Sequence, residues 1–388
     1  MPTYARWDVA AERGEGCYLY ATDGRKFLDF TSGIAVTSLG HCHPHLIEAV
    51  TEQARKLWHV SNLFHIPGQQ RLAERLVANS FADTVFFNNS GAEAVELSIK
   101  VARKYQSHIG HPERYRVIGC SGSFHGRSFA TLAAAGAEAY LKGFGPVMEG
   151  FDHVAFNNLN ETRAAVTEHT AAILVEPVQG EGGARAPSEG YLRGLREICD
   201  EFGLLLIYDE VQSGMGRTGR LFAHEWEGVP PDIMAVAKAL GNGFPIGACL
   251  ATEKAAAGMV AGTHGSTFGG NPMAVACGNA VLDVMLEPGF LERVNRMAGL
   301  LRSKLEKLVA GYPKLFVELR GSGLLLGIQC QQSVAPGDIV AKLRGEGLLC
   351  LTAGDNVLRI LPPLIVGERE IDEAVGILEK VVREWPAT

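Results

Sequence analysis

The chain has 388 residues with a formal net charge of −7, and its 47% apolar and 20% charged residues are ordinary globular composition. Basic residues are scattered rather than blocked, no apolar run is long enough to span a bilayer, and the N-terminus lacks a basic stretch leading into an apolar one. This excludes nucleic acid as the main partner and predicts neither a membrane segment nor a secretory leader. Eight dispersed cysteines without a CxxC pair read as small buried hydrophobes in a reducing compartment, so a cytoplasmic protein of enzyme size is expected.

In chain order, CYLYATDGRKFLDF (17–30) is a hairpin candidate with an Asp-Gly turn. The first 45 residues are too few for a domain and are expected to pack with the smaller, C-terminal one. TVFF (84–87) reads as a strand running into NNSG and the helical stretch 92–105. RVIG (116–119) is a second strand. AAILVEP (171–177) and GLLLIYDE (203–210) are near-continuous apolar strands that each end in an acid, as strands of a parallel sheet buried on both faces do. Residues 191–203 between them have the length of a crossover helix. DIMAVAKAL (232–240) is a further short strand or strand-turn.

Past residue 285 the texture changes. Residues 290–311 form a long amphipathic helix with Leu291, Val294, Met297, Leu301, Leu305 and Leu308 on one stripe. A strand, a glycine turn and a strand follow (316–330), then a helix (338–347), a strand at VLRIL (357–361), and a closing helix with Ile371, Ala374, Val375, Leu378 and Val382 on one face. The predicted organisation is an N-terminal segment 1–45, a large α/β domain 46–285 with a mostly parallel sheet, and a small α+β domain 286–388. The 46 glycines cluster where apolar runs end, where backbone must turn sharply or approach a ligand.

The chemistry is read from strand ends. Asp209 closes one buried strand, and Lys238 lies in the apolar stretch MAVAKALG before GNGFPIG. An amine so poorly solvated has a depressed pKa and is nucleophilic, suited to condensation with an aldehyde. Pyridoxal phosphate also needs a carboxylate for its ring nitrogen, a group against its ring face and a phosphate cradle. Asp209 supplies the first and Phe124 of SFHGR the second. Ser90-Gly91-Ala92, opening a helix directly after a strand, supplies the third. His125 is read as site lining, and Glu176 as a strand-end acid near the same face. His41, His43 and His45 around Cys42 are read as a turn before a helix starting at Pro44 rather than as metal ligands, and no metal is expected. GMGRTG (214–219) follows no clean strand-to-helix joint and is not read as a dinucleotide site.

From near residue 4 to near residue 384 the chain resembles the class III (ω-amino-acid type) aminotransferases of fold type I. The motifs that carry this are RGEGCYLYATDGRKFLDFTSGIAVTSLGHCHP, NNSGAEAVE, SFHGRS, EPVQGEGG, YDEVQSGMGRTG, AKALGNGFPIG, HGSTFGGNP and LRILPPLIV. The resemblance implies that Lys238 and Asp209 are catalytic, with Lys238 bonded to the cofactor and Asp209 on its pyridine nitrogen. Val211 would back the ring, Gln212 bond the ring hydroxyl, Gly91 and Ala92 hold the phosphate, and Phe124 stack. Thr267 of HGST would reach the cofactor of a partner subunit, which implies a homodimer with shared sites, and Ser266 beside it would face substrate. Arg127 and Arg359 would bind the two carboxylates of glutamate, and Glu181 would mask Arg359 when the other substrate is bound, swinging on its glycine-flanked turn. The implied reaction moves the δ-amino group of N-acetylornithine to 2-oxoglutarate, a step of arginine biosynthesis. Alternatives with the same chemistry are N-succinyl-diaminopimelate, succinylornithine, ornithine and 4-aminobutyrate; a non-transaminating enzyme of this fold, such as an aminomutase or racemase, would use the same lysine and aspartate. Two positions depart from the family habit: Val95 where Asn is frequent after SGAEA, and Ile360 where an aromatic often follows the late arginine.

Overall fold

The computed structural model describes residues 1–385, so the last three residues of the predicted 286–388 unit lie outside the described residues. Strands β1 (Ala11–Glu15), β2 (Tyr18–Ala21) and β3 (Lys26–Asp29) form an antiparallel ribbon. The β2–β3 turn uses Gly24 at φ 86°, a left-handed conformation that glycine adopts without steric cost.

The central sheet is built from β4 (Thr84–Asn88), β5 (Arg116–Cys120), β6 (Phe151–Val154), β7 (Thr170–Val175), β8 (Leu205–Asp209), β9 (Ile233–Val236) and β10 (Gly247–Ala251). Its order is β4-β10-β9-β8-β7-β5-β6. The pairs from β9 to β6 are parallel, and β10 runs against both β9 and β4. Every residue of β7, β8 and β9 is buried, as near-continuous apolar runs require. Alternate side chains divide between two cores. Leu205, Ile207 and Ile233 pack with Val95 and Leu97 of helix Gly91–His108, while Leu206, Tyr208 and Met234 face the side covered by Leu192 and Leu195 of helix Tyr191–Phe202. Each such fully buried aliphatic side chain contributes about 1.5–3 kcal/mol. The fold class expected from the sequence is the one observed: an α/β unit with a largely parallel sheet and a smaller α+β part.

In that smaller part, helix Phe290–Gly311 has the predicted bounds, with Val294, Leu301, Leu305 and Leu308 buried. Strands β11 (Phe316–Ser322), β12 (Leu325–Cys330), β13 (Leu348–Leu349), β14 (Leu351–Ala353) and β15 (Val357–Ile360) follow. Four of them form an antiparallel sheet β11-β12-β15-β14, and helix Glu368–Arg383 packs beside helices Phe290–Gly311 and Pro336–Gly345 with Ile371, Ala374, Val375, Leu378 and Val382 buried. β13 instead leaves to pair parallel with β3, Leu348 opposite Leu28, so the N-terminal ribbon and a strand from the far end of the chain share one sheet.

Between the ribbon and the central sheet the backbone does something the sequence does not announce. Ser32, Gly33, Ile34 and Ala35 have φ of 47°, 60°, 66° and 62°. Four successive left-handed residues, three of them with a Cβ, cost roughly 1–2 kcal/mol each and need external support. Asp29 provides it at the start, its Oδ1 accepting from Thr31 N (2.9 Å), Thr31 Oγ1 (2.6 Å) and Ser32 N (3.2 Å). Ser32 Oγ then donates to Leu361 O (2.6 Å).

The histidine turn has separate partners: His41 Nε2 lies 2.8 Å from Asp29 Oδ2 and His45 Nε2 2.9 Å from Asp283 Oδ2, with helix Pro44–Ala54 starting between them. All the cysteines are free. Seven are buried as read from the sequence, and the eighth, Cys42, is exposed on the left-handed bend of that turn (φ 51°). No single helix among the described residues is long and apolar enough to cross a membrane.

Candidate active site

The carboxyl ends of β4, β5, β7, β8 and β9 open onto one cavity of about 410 Å³. At the end of β4, Ser90 caps helix Gly91–His108, its Oγ accepting from Glu93 N (3.2 Å), while Glu93 Oε2 accepts from Asn89 N (2.7 Å). The amides of Gly91 and Ala92 find no acceptor among the described residues and lie at the cavity. A Cβ on Gly91 would sit 2.6 Å from Val211 Cγ1, so only glycine lets the two meet. Val95 takes no part in this cap. It is fully buried in the apolar core, where an Asn would need a polar partner.

The exit from β5 carries Phe124, His125 and Arg127. His125 is buried, with Nδ1 2.7 Å from Asp209 Oδ2 and Nε2 without a partner. Burial disfavours its charged form, but the bond to Asp209 and the charges of Asp209 and Glu176 outweigh that and hold its pKa above the ordinary histidine value. Asp209 accepts a second bond from Val211 N (3.0 Å) through Oδ1. Glu176, after β7, receives Phe124 N on one oxygen (3.0 Å) and Gly180 N on the other (3.4 Å). Burial pushes its pKa up, the neighbouring Asp209 adds to this, and His125 opposes it. Arg127 is exposed, its guanidinium 3.9 Å from the Tyr140 ring centroid and 5.3 Å from that of Phe124.

Lys238 follows β9 in a short 3₁₀ turn with φ 45°, strained for a residue with a Cβ. It lines the cavity, keeps partial exposure toward it, and makes no hydrogen bond or ion pair among the described residues. Burial pushes its pKa down to about 8; the charge of Arg359 acts in the same direction, and Glu181, Asp209 and Glu176 oppose it. The amine is thus partly neutral near physiological pH.

Behind Gln212, Arg359 on β15 is 2% exposed and donates from Nη1 to Glu181 Oε1 (2.6 Å) and Gln212 Oε1 (3.1 Å). The turn bearing Glu181 is tied to its neighbours in this structure. Gly354 N donates to Glu181 O (2.8 Å), Gln179 and Arg185 exchange backbone bonds, and a Cβ on Gly182 would overlap Gly122 O. Gly182 thus serves close packing against Gly122. Ser266 lies outside the main cavity and lines a neighbouring one, its Oγ accepting from Gly269 N (2.9 Å) and standing 3.3 Å from Asn89 Nδ2. Thr267 is exposed and lines neither cavity. Val36, Phe244, Pro245 and Ile246 were not singled out from the sequence, yet they form the apolar wall. They carry no titratable group, and their one signal is a position inside Gly-flanked apolar runs.

An aminotransferase class-III sequence pattern matches residues 3–382. The chain belongs to this family. Over 374 residues it is 58% identical to the acetylornithine aminotransferase of Mesorhizobium japonicum, covering 96% of this chain and 93% of that one. Among solved structures, an ornithine aminotransferase from Toxoplasma gondii with partial occupancy of PLP at its active site superposes with a TM-score of 0.94 at 32% identity, covering 98% of this chain and 91% of that one. The acetylornithine aminotransferase from Elizabethkingia anophelis gives 0.88 at 33%, covering 99% and 96%. The cofactor of this aminotransferase is pyridoxal phosphate, and the residues present fit it. An enclosed lysine amine without a protein partner, two unsatisfied helix-start amides and a buried carboxylate face one cavity.

Proposed function

We propose that this aminotransferase moves the δ-amino group of N2-acetyl-L-ornithine to 2-oxoglutarate, giving N-acetyl-L-glutamate 5-semialdehyde and L-glutamate. The observation that carries the reading is the Glu181–Arg359 pair beside Gln212. Glutamate brings a carboxylate on its reacting carbon and the δ-amine of acetylornithine brings none, so one pocket must offer an arginine in one half-reaction and cover it in the other. A buried arginine left unpaired would be costly, and an acid already in contact removes that cost. The shared name of the curated relatives supports the same substrate.

When bound, pyridoxal phosphate supplies an aldehyde that condenses with amines and a pyridine ring that accepts electron density. Lys238 would hold the cofactor through its amine and, once displaced by the substrate amine, carry the proton from the substrate carbon. Asp209, braced by His125 and Val211 N, would keep the pyridine nitrogen protonated. Gly91 and Ala92 would receive the phosphate, Phe124 and Val211 would enclose the ring, Gln212 would bond its hydroxyl, and Glu176 would fix Phe124 through the backbone. Arg127 would take the distal carboxylate of both substrates.

The working unit we infer is a cytoplasmic homodimer, divided into segments 1–45, 46–285 and 286–388. Support for the dimer comes from an exposed apolar face next to Thr267. Leu63 and Phe64 are 91% and 63% exposed, the His59 and Phe268 ring centroids are 5.1 Å apart, and Asn62 ties the two stretches through Ser266 O (3.1 Å) and Gly269 O (3.0 Å). Thr267 and Ser266 would then complete the neighbour's site. Free cysteines, mostly buried, suit the cytoplasm.

The test is kcat/KM for N-acetylornithine, N-succinyl-diaminopimelate, ornithine and 4-aminobutyrate with 2-oxoglutarate. N-acetylornithine should lead by at least about tenfold, or roughly 1.4 kcal/mol of transition-state binding. A lead for 4-aminobutyrate would overturn the substrate while leaving the chemistry standing.

A further inference from the structure

Arg217 lies behind the site, in the loop that follows Asp209. It is 0% exposed, and no carboxylate stands within ion-pair distance among the described residues; burial alone pushes its pKa down to about 9. Its hydrogen bonds go to three separate stretches of chain. Nη1 donates to Leu324 O (3.2 Å) and Pro362 O (2.5 Å), and Nη2 donates to Ser38 Oγ (3.0 Å). Its own backbone is tied to the first of these stretches, Leu324 N donating to Arg217 O (3.0 Å). A buried cation without a counter-ion is expensive, and a purely structural clamp could be built from neutral donors.

Each stretch that meets at this guanidinium also carries a wall of the site. The loop of Arg217 bears Val211 and Gln212. Ser38 ends the segment whose left-handed run, Ser32–Ala35, delivers Val36 to the cavity, and Ser38 O accepts from Leu364 N (2.6 Å). Pro362 lies just after Arg359 on the same strand exit, and Leu324 immediately precedes β12, whose Gly327 is the register partner of Arg359. The segment is therefore held at the start of the left-handed run by Asp29, and three residues past its end, at Ser38, by Arg217.

We propose that Arg217 is a positioning residue for the carboxylate subsite: it locks Val36, Gln212 and Arg359 into one arrangement and thereby sets the preference for dicarboxylate substrates. This rests on the reading of Arg359 as the residue that binds the carboxylate on the reacting carbon.

The experiment uses the holoenzyme and its Arg217→Met, Arg217→Lys, Ser38→Ala and Arg359→Ala variants, with single-turnover rates for glutamate and for N-acetylornithine and KM for 2-oxoglutarate. In Arg217→Met, KM for 2-oxoglutarate and the concentration dependence for glutamate should rise by about tenfold, with N-acetylornithine changed less than about threefold. Cofactor absorbance and its fixation by borohydride should be retained. Arg217→Lys should recover part of the glutamate loss, because it keeps a cation and a donor at this position. Ser38→Ala should shift the donor ratio in the same direction by less. Equal losses for both donors in Arg217→Met, or an unchanged donor ratio in Ser38→Ala and Arg217→Lys should Arg217→Met fail to fold, would overturn the proposal. If Arg359→Ala itself leaves the donor ratio intact, the carboxylate reading fails and the proposal falls with it. A changed ratio in Arg359→Ala with an unchanged one in the Arg217 variants overturns only the role of Arg217.

Discussion

Glu181 Oε1 and Arg359 Nη1 are 2.6 Å apart, but the two side chains are not equally buried: Arg359 is 2% exposed and Glu181 28%. The arginine is fixed by its strand and by Gln212, whereas the acid stands at the edge and can turn outward. Glu181→Ala should therefore slow the N-acetylornithine half-reaction by about tenfold and leave or improve that of glutamate. Arg359→Ala should do the reverse, and Arg127→Ala should impair both. Equal losses for both donors in Glu181→Ala would leave that residue a structural role only.

Lys238 should be the residue that borohydride fixes to the cofactor, and peptide mapping of the reduced protein reads this directly. Lys238→Ala should still bind cofactor and lose turnover. Because the folded amine has a lowered pKa, its neutral, reactive form gains population as pH rises through about 8. The rate of covalent reconstitution of the apoenzyme should climb over that interval and then level. A climb that continues to the range of an exposed lysine, about 10.4, would mean the amine is not desolvated.

Gly91→Ala places a methyl group against Val211, and overpacking of that kind costs about 1–3 kcal/mol where nothing gives. Alanine suits a helix start, so the loss should appear as weaker cofactor affinity, roughly tenfold in an absorbance titration, rather than as a large drop in Tm. Val211→Ala in the same chain should restore most of it. A double variant no better than Gly91→Ala would place the conflict elsewhere.

Mixing Lys238→Ala with Thr267→Ala subunits tests assembly and site sharing together. Heterodimers should hold one site without a defect and recover activity that neither parent shows. A monomer at micromolar concentration with full activity would exclude the shared site.

Legibility in the sequence followed chemistry and periodicity. β7 and β8 were readable because unbroken apolar runs end in Glu176 and Asp209, and helix Phe290–Gly311 because its stripe repeats for several turns. β10 was not: GACLA is built of small residues with weak strand preference, and its place comes from the neighbours β4 and β9. Among site residues, strand-end position singled out Lys238 and Asp209. The His125–Asp209 bond spans 84 positions and leaves no local trace, so His125 read only as lining. Val36 was hidden for another reason. It reaches the cavity by way of a left-handed run that residues such as Ile34 and Ala35 do not advertise.

The pairing of β3 with β13 sets a timetable for the growing chain. Leu28 is made early and its partner Leu348 only after about 320 further residues. At ribosomal rates of roughly 5–20 residues per second, the ribbon's open edge waits on the order of tens of seconds for the strand that closes it. The opposite edge, Ala11–Glu15, never gains a partner among the described residues, and its mostly exposed and charged side chains discourage a wrong strand from adding there. The segment that delivers Val36 waits longer still, for Leu361 and Leu364, so the pocket cannot be complete on a chain whose C-terminal end is still unmade.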